Sequence, residues 1–257
     1  MNNRLVIIPT YNEIENISNI VEAVMTLAPD IDLLVVDDGS PDGTGTKIKE
    51  LQADQSDRLH LIEREGKLGL GTAYIKGFKW AIEKGYLYIC EMDADFSHNP
   101  NDLLRLFDAC HNQSADVAIG SRYVSGVNVV NWPMSRVLIS YFASVYVRLI
   151  TRMTIRDATA GFVCYRTEVL EVIDLDKIRF KGYAFQIEMK FKAWKYRFNL
   201  EELPIIFTDR KEGTSKMSGK IVSEAIFGVI RLKISSWFRS YRRPEESKVE
   251  EKESRDE

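Results

Sequence analysis

Five short apolar runs, at 5–9, 33–36, 59–62, 87–92 and 117–119, alternate with four segments of helical spacing or helix-forming composition, at 15–27, 44–53, 71–83 and 100–110. This alternation implies an α/β fold, a mostly parallel sheet covered by helices on both faces, because a parallel return needs a crossover long enough to hold a helix. Strands buried on both faces read as near-continuous apolar runs, as these do. In such sheets ligands bind outside the carboxyl ends of the strands. The polar clusters of this chain fall at those ends: PTYNE after the first run, DDGSPDGT after the second, DADFSH after the fourth and GSRY after the fifth. The spacing therefore predicts a single site where these ends converge.

Beyond residue 123 the pattern loosens. VSGVNVVNW reads as a loop, 133–153 as a long apolar helix, and GFVCYR and LEELPIIF as strands with a helix at 185–196 between them. A final amphipathic helix is expected at 221–238, where Arg231 and Lys233 interrupt the apolar residues. From residue 242 the sequence RRPEESKVEEKESRDE carries almost no apolar side chain, a composition that cannot bury a core. The expected organisation is one α/β domain over 1–217, an amphipathic helix over 218–240 and a charged tail over 241–257. The formal net charge of −3 gives no basic footprint for nucleic acid. Cys90, Cys110 and Cys164 lie far apart with no CxxC spacing, as buried thiols in a reducing compartment would. The N-terminal MNNRLVIIPTYNE lacks the pattern of a signal peptide, and no run reaches the about 18 apolar residues of a membrane span. The expected location is the cytoplasm, with attachment to a membrane surface.

Asp93 and Asp95 stand two apart at a strand end, so both can face one side and share a hard cation. Oxygen ligands of this kind suit Mg²⁺ or Mn²⁺. The competing reading is a solvated turn, and position at the end of a parallel strand favours the cation. In VVDDGSPDGT, Asp38 can bond a ribose or a base, while Gly39 and Gly43 permit close backbone approach. REGKLGLGTAY, at 64–74, opens a helix and is either a phosphate cradle or a packing device; it matches neither GxGxxG nor GxxxxGK[ST]. Arg122, Arg136, Arg210 and Lys216 lie at loop or strand-end positions and suit anion clamps, because guanidinium matches phosphate bidentately. His60, His98 and His111 are too scattered for a zinc site, and Glu91 reads as a structural acid.

These blocks, with the W-P-x-S-R run, KGYAFQIEM and DRKEGTSKMS, occur in the order seen in the polyprenol/dolichol-phosphate mannosyltransferases, glycosyltransferases of family 2. The resemblance covers about residues 4–230. It implies the GT-A fold, a GDP-mannose donor, a divalent cation and a polyprenyl or dolichyl monophosphate acceptor. By resemblance, Pro9, Tyr11, Glu13, Val36 and Asp38 belong to the nucleoside pocket, and Asp93, Ala94 and Asp95 to the donor and metal segment. Arg122, Arg210 and Lys216 correspond to phosphate-contacting residues, Arg136 and Ser140 to the acceptor-phosphate site, and Gln186 and Glu188 to the vicinity of the sugar. Asp95, Arg122 and Arg210 are the expected catalytic residues. Ser97 stands where some relatives carry a metal-binding Gln, and TAGF replaces the commoner TGSFR. Attack by the acceptor phosphate opposite the leaving group implies inversion to a β-linked product. Helices over 137–150 and 221–238 are expected at a membrane interface. Three alternatives compete: a family 2 enzyme with another donor such as UDP-glucose, a sugar nucleotidyltransferase, and an inactive binding module. IPTYNE argues against the second, and the joint presence of Asp93, Asp95, Arg210 and Lys216 against the third.

Overall fold

The computed structural model describes residues 2–55, 57–182, 184–209 and 219–243. Among the described residues are nine strands: β1 (Arg4–Thr10), β2 (Ile31–Asp37), β3 (Leu59–Glu63), β4 (Tyr88–Glu91), β5 (Val117–Ser121), β6 (Val129–Val130), β7 (Val163–Arg166), β8 (Leu200–Pro204) and β9 (Phe207–Thr208). The same residues form eight α-helices: α1 (Ile14–Met25), α2 (Thr44–Gln55), α3 (Leu70–Glu83), α4 (Asp102–Asn112), α5 (Met134–Thr151), α6 (Thr167–Val172), α7 (Ala184–Lys195) and α8 (Gly219–Trp237). Seven strands form one sheet in the order β3-β2-β1-β4-β7-β5-β8, and β6 pairs with β9 beside it. All neighbours in the large sheet run parallel except β7, which lies antiparallel to both β4 and β5.

Alternation along β1 sorts the core into two layers, as a side-chain period of two requires. Leu5 and Ile7 face the layer that holds Tyr74 and Phe78 of α3 and Phe185 and Phe191 of α7. Val6 and Ile8 face the layer of Ile17 and Ile20 of α1 and Leu103 and Phe107 of α4. In α1 the buried Ile17, Ile20, Val21 and Val24 follow the i, i+3, i+4, i+7 stripe of a helix with one apolar face. Each of these fully buried aliphatic side chains contributes about 1.5–3 kcal/mol relative to exposure.

Two boundaries differ from the sequence reading. Asn99 and Pro100 predict a helix start, yet α4 begins at Asp102 with Asn101 as its cap. The Asn99 side chain accepts the Asn101 N–H at 3.1 Å and its carbonyl accepts that of Asp102 at 3.0 Å, so the pair forms a turn that hands over to the helix. The loop expected at VSGVNVVNW contains β6, which is short enough to hide from periodicity.

α8 joins the core through Val229 and Leu232 and lies against α5, where Lys233 donates to the Thr151 carbonyl at 3.2 Å. Its opposite face exposes Phe227, Ile230, Ile234, Trp237 and Phe238. The neighbouring α5 exposes Met134, Leu138 and Phe142 along an i, i+4, i+8 row, and Leu149 further along the helix. No helix among the described residues is long and apolar enough to cross a membrane. Most of the charged tail expected over 241–257, from residue 244 on, lies outside the described residues.

Candidate active site

β1 lies between β2 and β4, with Pro9 opposite Val36, Thr10 opposite Asp37 and Ile7 opposite Glu91. The Met92 N–H continues the ladder to the Ile7 carbonyl at 3.1 Å. Asp38 and Asp93 therefore leave the same end of the sheet two strands apart, about 10 Å by strand spacing. A ligand laid across the sheet ends can touch both.

At the end of β2 the two aspartates part to opposite sides. Asp37 is buried and structural, accepting the Thr10 hydroxyl at 2.8 Å, the Ser40 hydroxyl at 2.6 Å and the Ser40 N–H at 2.9 Å. Asp38 pairs with Arg64, whose Nε donates at 2.6 Å while its Nη1 donates to the Thr72 hydroxyl at 2.8 Å. Gly39 has φ +66°, and a Cβ there would stand 3.0 Å from the Arg64 carbonyl. Only glycine allows both the left-handed turn and that approach. Around this pocket Tyr11 lies under the Lys67 ammonium at 4.5 Å, and the Glu13 carboxylate accepts the Asn16 amide at 3.0 Å. Pro9 is partly exposed. Val36 is fully buried, so its backbone alone can meet a ligand.

The two readings of REGKLGLGTAY are resolved toward packing. A Cβ on Gly71 would lie 2.8 Å from the Phe185 ring, and the Gly71 N–H donates to the Lys181 carbonyl at 2.8 Å. The α3 N-terminus is braced by residues 178–182 and does not hold an open phosphate cradle.

Beyond β4, Asp93 and Asp95 are partly exposed and Ala94 is buried. His98 is buried, stacks on Phe162 at 4.7 Å and accepts the Asp93 N–H at 3.3 Å through Nδ1. Burial pushes its pKa down to about 4, which keeps the imidazole neutral and able to accept. Asp95 accepts the Ser97 N–H at 3.1 Å, and Phe96 between them has φ +57°, a costly conformation for an aromatic residue. The Ser97 hydroxyl is buried with no hydrogen-bond partner among the described residues. Among the described residues no three His, Cys, Asp or Glu side chains gather to hold a metal. A cation here would rest on two carboxylates, the orphaned Ser97 hydroxyl or a water in its place, and oxygens of the donor. That oxygen set fits Mg²⁺ or Mn²⁺, which commonly share carboxylates with substrate phosphates.

Beneath this segment Gln186 donates to the buried Glu91 at 2.6 Å, and Lys190 donates to Gln186 Oε1 at 3.2 Å and to the Ala160 carbonyl at 2.5 Å. Burial pushes Glu91 up and Lys190 down, each opposed by the other's charge. Gln186 thus sits under the β4 end. Glu188 faces away from it, accepting the N–H groups of Arg179 and Phe180 at 2.8 and 3.1 Å. The structure does not bring those two residues together.

At the end of β5 the expected phosphate clamp Arg122 is buried against Asp157, with Nε donating at 2.7 Å, Nη2 at 2.6 Å and the backbone N–H at 3.0 Å. Nη2 also donates to the Thr159 hydroxyl at 2.8 Å. Burial alone would raise Asp157, but the adjacent guanidinium overrides it and holds the carboxyl below its usual value. Only Nη1 of Arg122 has no partner among the described residues. Arg136 stacks on Trp132 at 4.1 Å and donates to Asp209 at 2.8 Å, and Arg122 lies over the same indole at 5.6 Å. Ser140 follows Arg136 by one turn of α5. Arg210 and Lys216 lie outside the described residues. Sequence reasoning missed Arg64, Trp132, Asp157 and Lys190; the one acid inside TIRDATAGF was the available signal for Asp157.

A mostly parallel sheet with the carboxylates of Asp93 and Asp95 after β4 and Asp38 two strands away can seat one ligand and a cation across its strand ends. The sequence matches the family described as Glycosyl transferase family 2 over residues 5–174, and the chain belongs to it. It is a glycosyltransferase of that family. It is 49% identical over 233 residues to the polyprenol monophosphomannose synthase of Mycolicibacterium smegmatis, covering 91% of this chain and 86% of that protein. It is 47% identical over 227 residues to the undecaprenyl-phosphate mannosyltransferase of Micrococcus luteus, covering 88% and 92%. Among solved structures, the glucosyl-3-phosphoglycerate synthase of Mycobacterium tuberculosis with Mn²⁺ and UDP shares the fold at TM-score 0.63 and 16% identity, covering 91% of this chain and 79% of that one. A mannosyltransferase of Pyrobaculum calidifontis in complex with GDP-Man and Mn²⁺ does so at TM-score 0.57 and 15% identity, covering 94% and 66%.

Proposed function

We propose that this chain transfers mannose from GDP-mannose to a polyprenyl monophosphate, with inversion, to give a polyprenyl phosphate β-mannose. The observation that carries the reading is the placement of Asp93 and Asp95 two strands from Asp38, in a chain nearly half identical to relatives named as a polyprenol monophosphomannose synthase and an undecaprenyl-phosphate mannosyltransferase. Asp38, braced by Arg64, meets the nucleoside, with Pro9, Tyr11, Glu13 and the Val36 backbone around it. Asp93 and Asp95 hold Mg²⁺ or Mn²⁺, which when bound supplies positive charge to the leaving diphosphate. Ala94 keeps the segment close-packed, and Gln186 supports it from below. Arg210 and Lys216 are proposed to face the donor phosphates.

The acceptor phosphate, with a second pKa near ~6, is largely dianionic at neutral pH and needs no strong general base. The task for the protein is to hold one anion beside another. Arg136 and Ser140 meet the acceptor phosphate, and Arg122 adds only Nη1 while its other donors fix the loop that carries Asp157. The lipid tail is reached at the cytoplasmic face of a membrane, on which the exposed rows of α5 and α8 rest. The test is incubation with Mg²⁺ or Mn²⁺, labelled GDP-mannose and a polyprenyl phosphate. Label extracted with the lipid is expected. No such label, with turnover of UDP-glucose in a parallel reaction, would replace the donor assignment.

A further inference from the structure

A cleft of about 310 Å³ opens between α7, α8 and residues 178–182. It lies on the side of α7 opposite Gln186. Arg179, Arg231 and Arg239 line it, and Phe180, Phe227 and Leu232 give it apolar walls. Arg231 and Ser235 stand one turn apart on α8, and Arg239 lines the cleft from the bend that follows the helix. The single acid in the lining is Glu188, and its carboxylate is already committed to two backbone N–H groups, with the Lys192 ammonium at 3.4 Å. None of the three arginines has a carboxylate partner among the described residues. The cleft therefore carries net positive charge.

Its outer rim is continuous with the apolar row of α8. Phe227 belongs to both, and the row runs on through Ile230, Ile234, Trp237 and Phe238. The close approach that forms the floor depends on Gly228, where a Cβ would stand 2.5 Å from the Phe180 ring. A ligand suited to this surface has an anionic head for three guanidiniums and an apolar tail that follows the row. Guanidinium is the cation best matched to phosphate oxygens.

We propose that this cleft binds the phosphate headgroup of an anionic phospholipid, apart from the acceptor site, and so orients the enzyme on the membrane. The inference rests on the membrane-surface reading above and goes beyond it, because it assigns a discrete headgroup site where that reading needs only apolar contact. The segment that walls the cleft is also the one whose Lys181 carbonyl holds the Gly71 N–H beside the donor pocket.

The test is sedimentation of the full chain with phosphatidylcholine vesicles and with the same vesicles doped with phosphatidylglycerol. The full chain is expected to partition onto both and to prefer the doped ones. Ser235→Trp fills the cleft and removes no charge, so it is expected to abolish the preference and leave phosphatidylcholine binding unchanged. Arg231→Gln with Arg239→Gln is expected to lower the preference by about 30-fold, at roughly five-fold per arginine near an anionic surface. Thermal melts establish that each variant is folded, with Ser235→Ala as the small-residue control. A preference retained in folded Ser235→Trp would reduce the effect to general surface charge and overturn the site. Equal partition of the unmodified chain onto both vesicles would overturn the site alone, and no partition onto either would overturn the membrane reading with it. Saturable binding of glycerol 3-phosphate without vesicles, lost in Ser235→Trp, would reassign the cleft to a soluble phosphate ester.

Discussion

Replacing Asp157 with alanine leaves the Arg122 guanidinium buried without its counter-charge. Three hydrogen bonds from Arg122 to the carboxylate vanish together, and the Thr159 hydroxyl, which bonds both groups, cannot supply the missing charge. Removing one partner of a buried pair costs about 3–5 kcal/mol, because the remaining charge keeps its desolvation penalty. That is a large share of the about 5–15 kcal/mol that holds a domain folded. At roughly 2–4 °C per kcal/mol for a chain of this size, Asp157→Ala should melt about 6–20 °C lower. Urea denaturation followed by circular dichroism gives the free energy directly. The double change Asp157→Leu with Arg122→Met removes both charges and should recover about 2 kcal/mol or more, since apolar replacements of buried pairs are often neutral. Mannosyl transfer by the double variant then separates the two roles of Arg122. A stable double variant with a raised KM for polyprenyl phosphate places Nη1 on the acceptor. A loss below about 1 kcal/mol in Asp157→Ala, or a double variant no more stable than the single one, would refute the buried-pair argument.

Asp95→Asn should raise the half-saturating metal concentration by about 10–100-fold, and full activity at unchanged metal would remove the ligand role. Ser97→Ala, which deletes a hydroxyl with no hydrogen-bond partner among the described residues, should leave the melting temperature within about 2 °C while shifting the metal titration. Burial chiefly, against an opposing pull from Asp32, holds His60 below the usual histidine value of 6.5. The unfolded chain therefore takes up that proton first as pH falls, so this contribution is present above pH 6.5 and is lost below it. Denaturation at pH 7.5 and pH 5.5 should show a smaller acid loss in His60→Gln than in the unmodified chain, and an equal loss would contradict the burial. Trp237→Ser with Phe238→Ser should weaken partition onto neutral vesicles by at least ~10-fold, given about 1.5–3 kcal/mol for each large apolar side chain. An unchanged partition would mean that α8 does not touch the bilayer.

What the sequence made legible was whatever depends on local period. The runs at 5–9 and 33–36 became β1 and β2, and the clusters after them met at one end of the sheet because parallel connectivity permits nothing else. The approach of side chains across long separations was not legible. Arg64 meets Asp38 26 positions away and Arg122 meets Asp157 35 positions away, and no spacing rule marks either pair. The glycines of REGKLGLGTAY stayed ambiguous until Phe185 and Lys181 were seen against them. Glu188 could have been separated from Gln186 beforehand. Two residues on a helix subtend roughly 200°, so both cannot point at one sugar.

β7 lies between β4 and β5 in the sheet but follows both in the chain. A growing polypeptide therefore cannot join its two halves until residue 166 has been made. Before then the outer edge of β4 and both edges of β5 present unpaired N–H and C=O groups, the form most prone to pairing with another chain. β1, β2 and β3 can assemble first, and their half of the sheet should acquire structure while the half that holds β5 and β8 waits for its central strand. Pulse-labelled hydrogen exchange during refolding should find amides of β1 and β2 protected ahead of those of β5. Simultaneous protection would mean that the late strand sets the pace for the whole sheet.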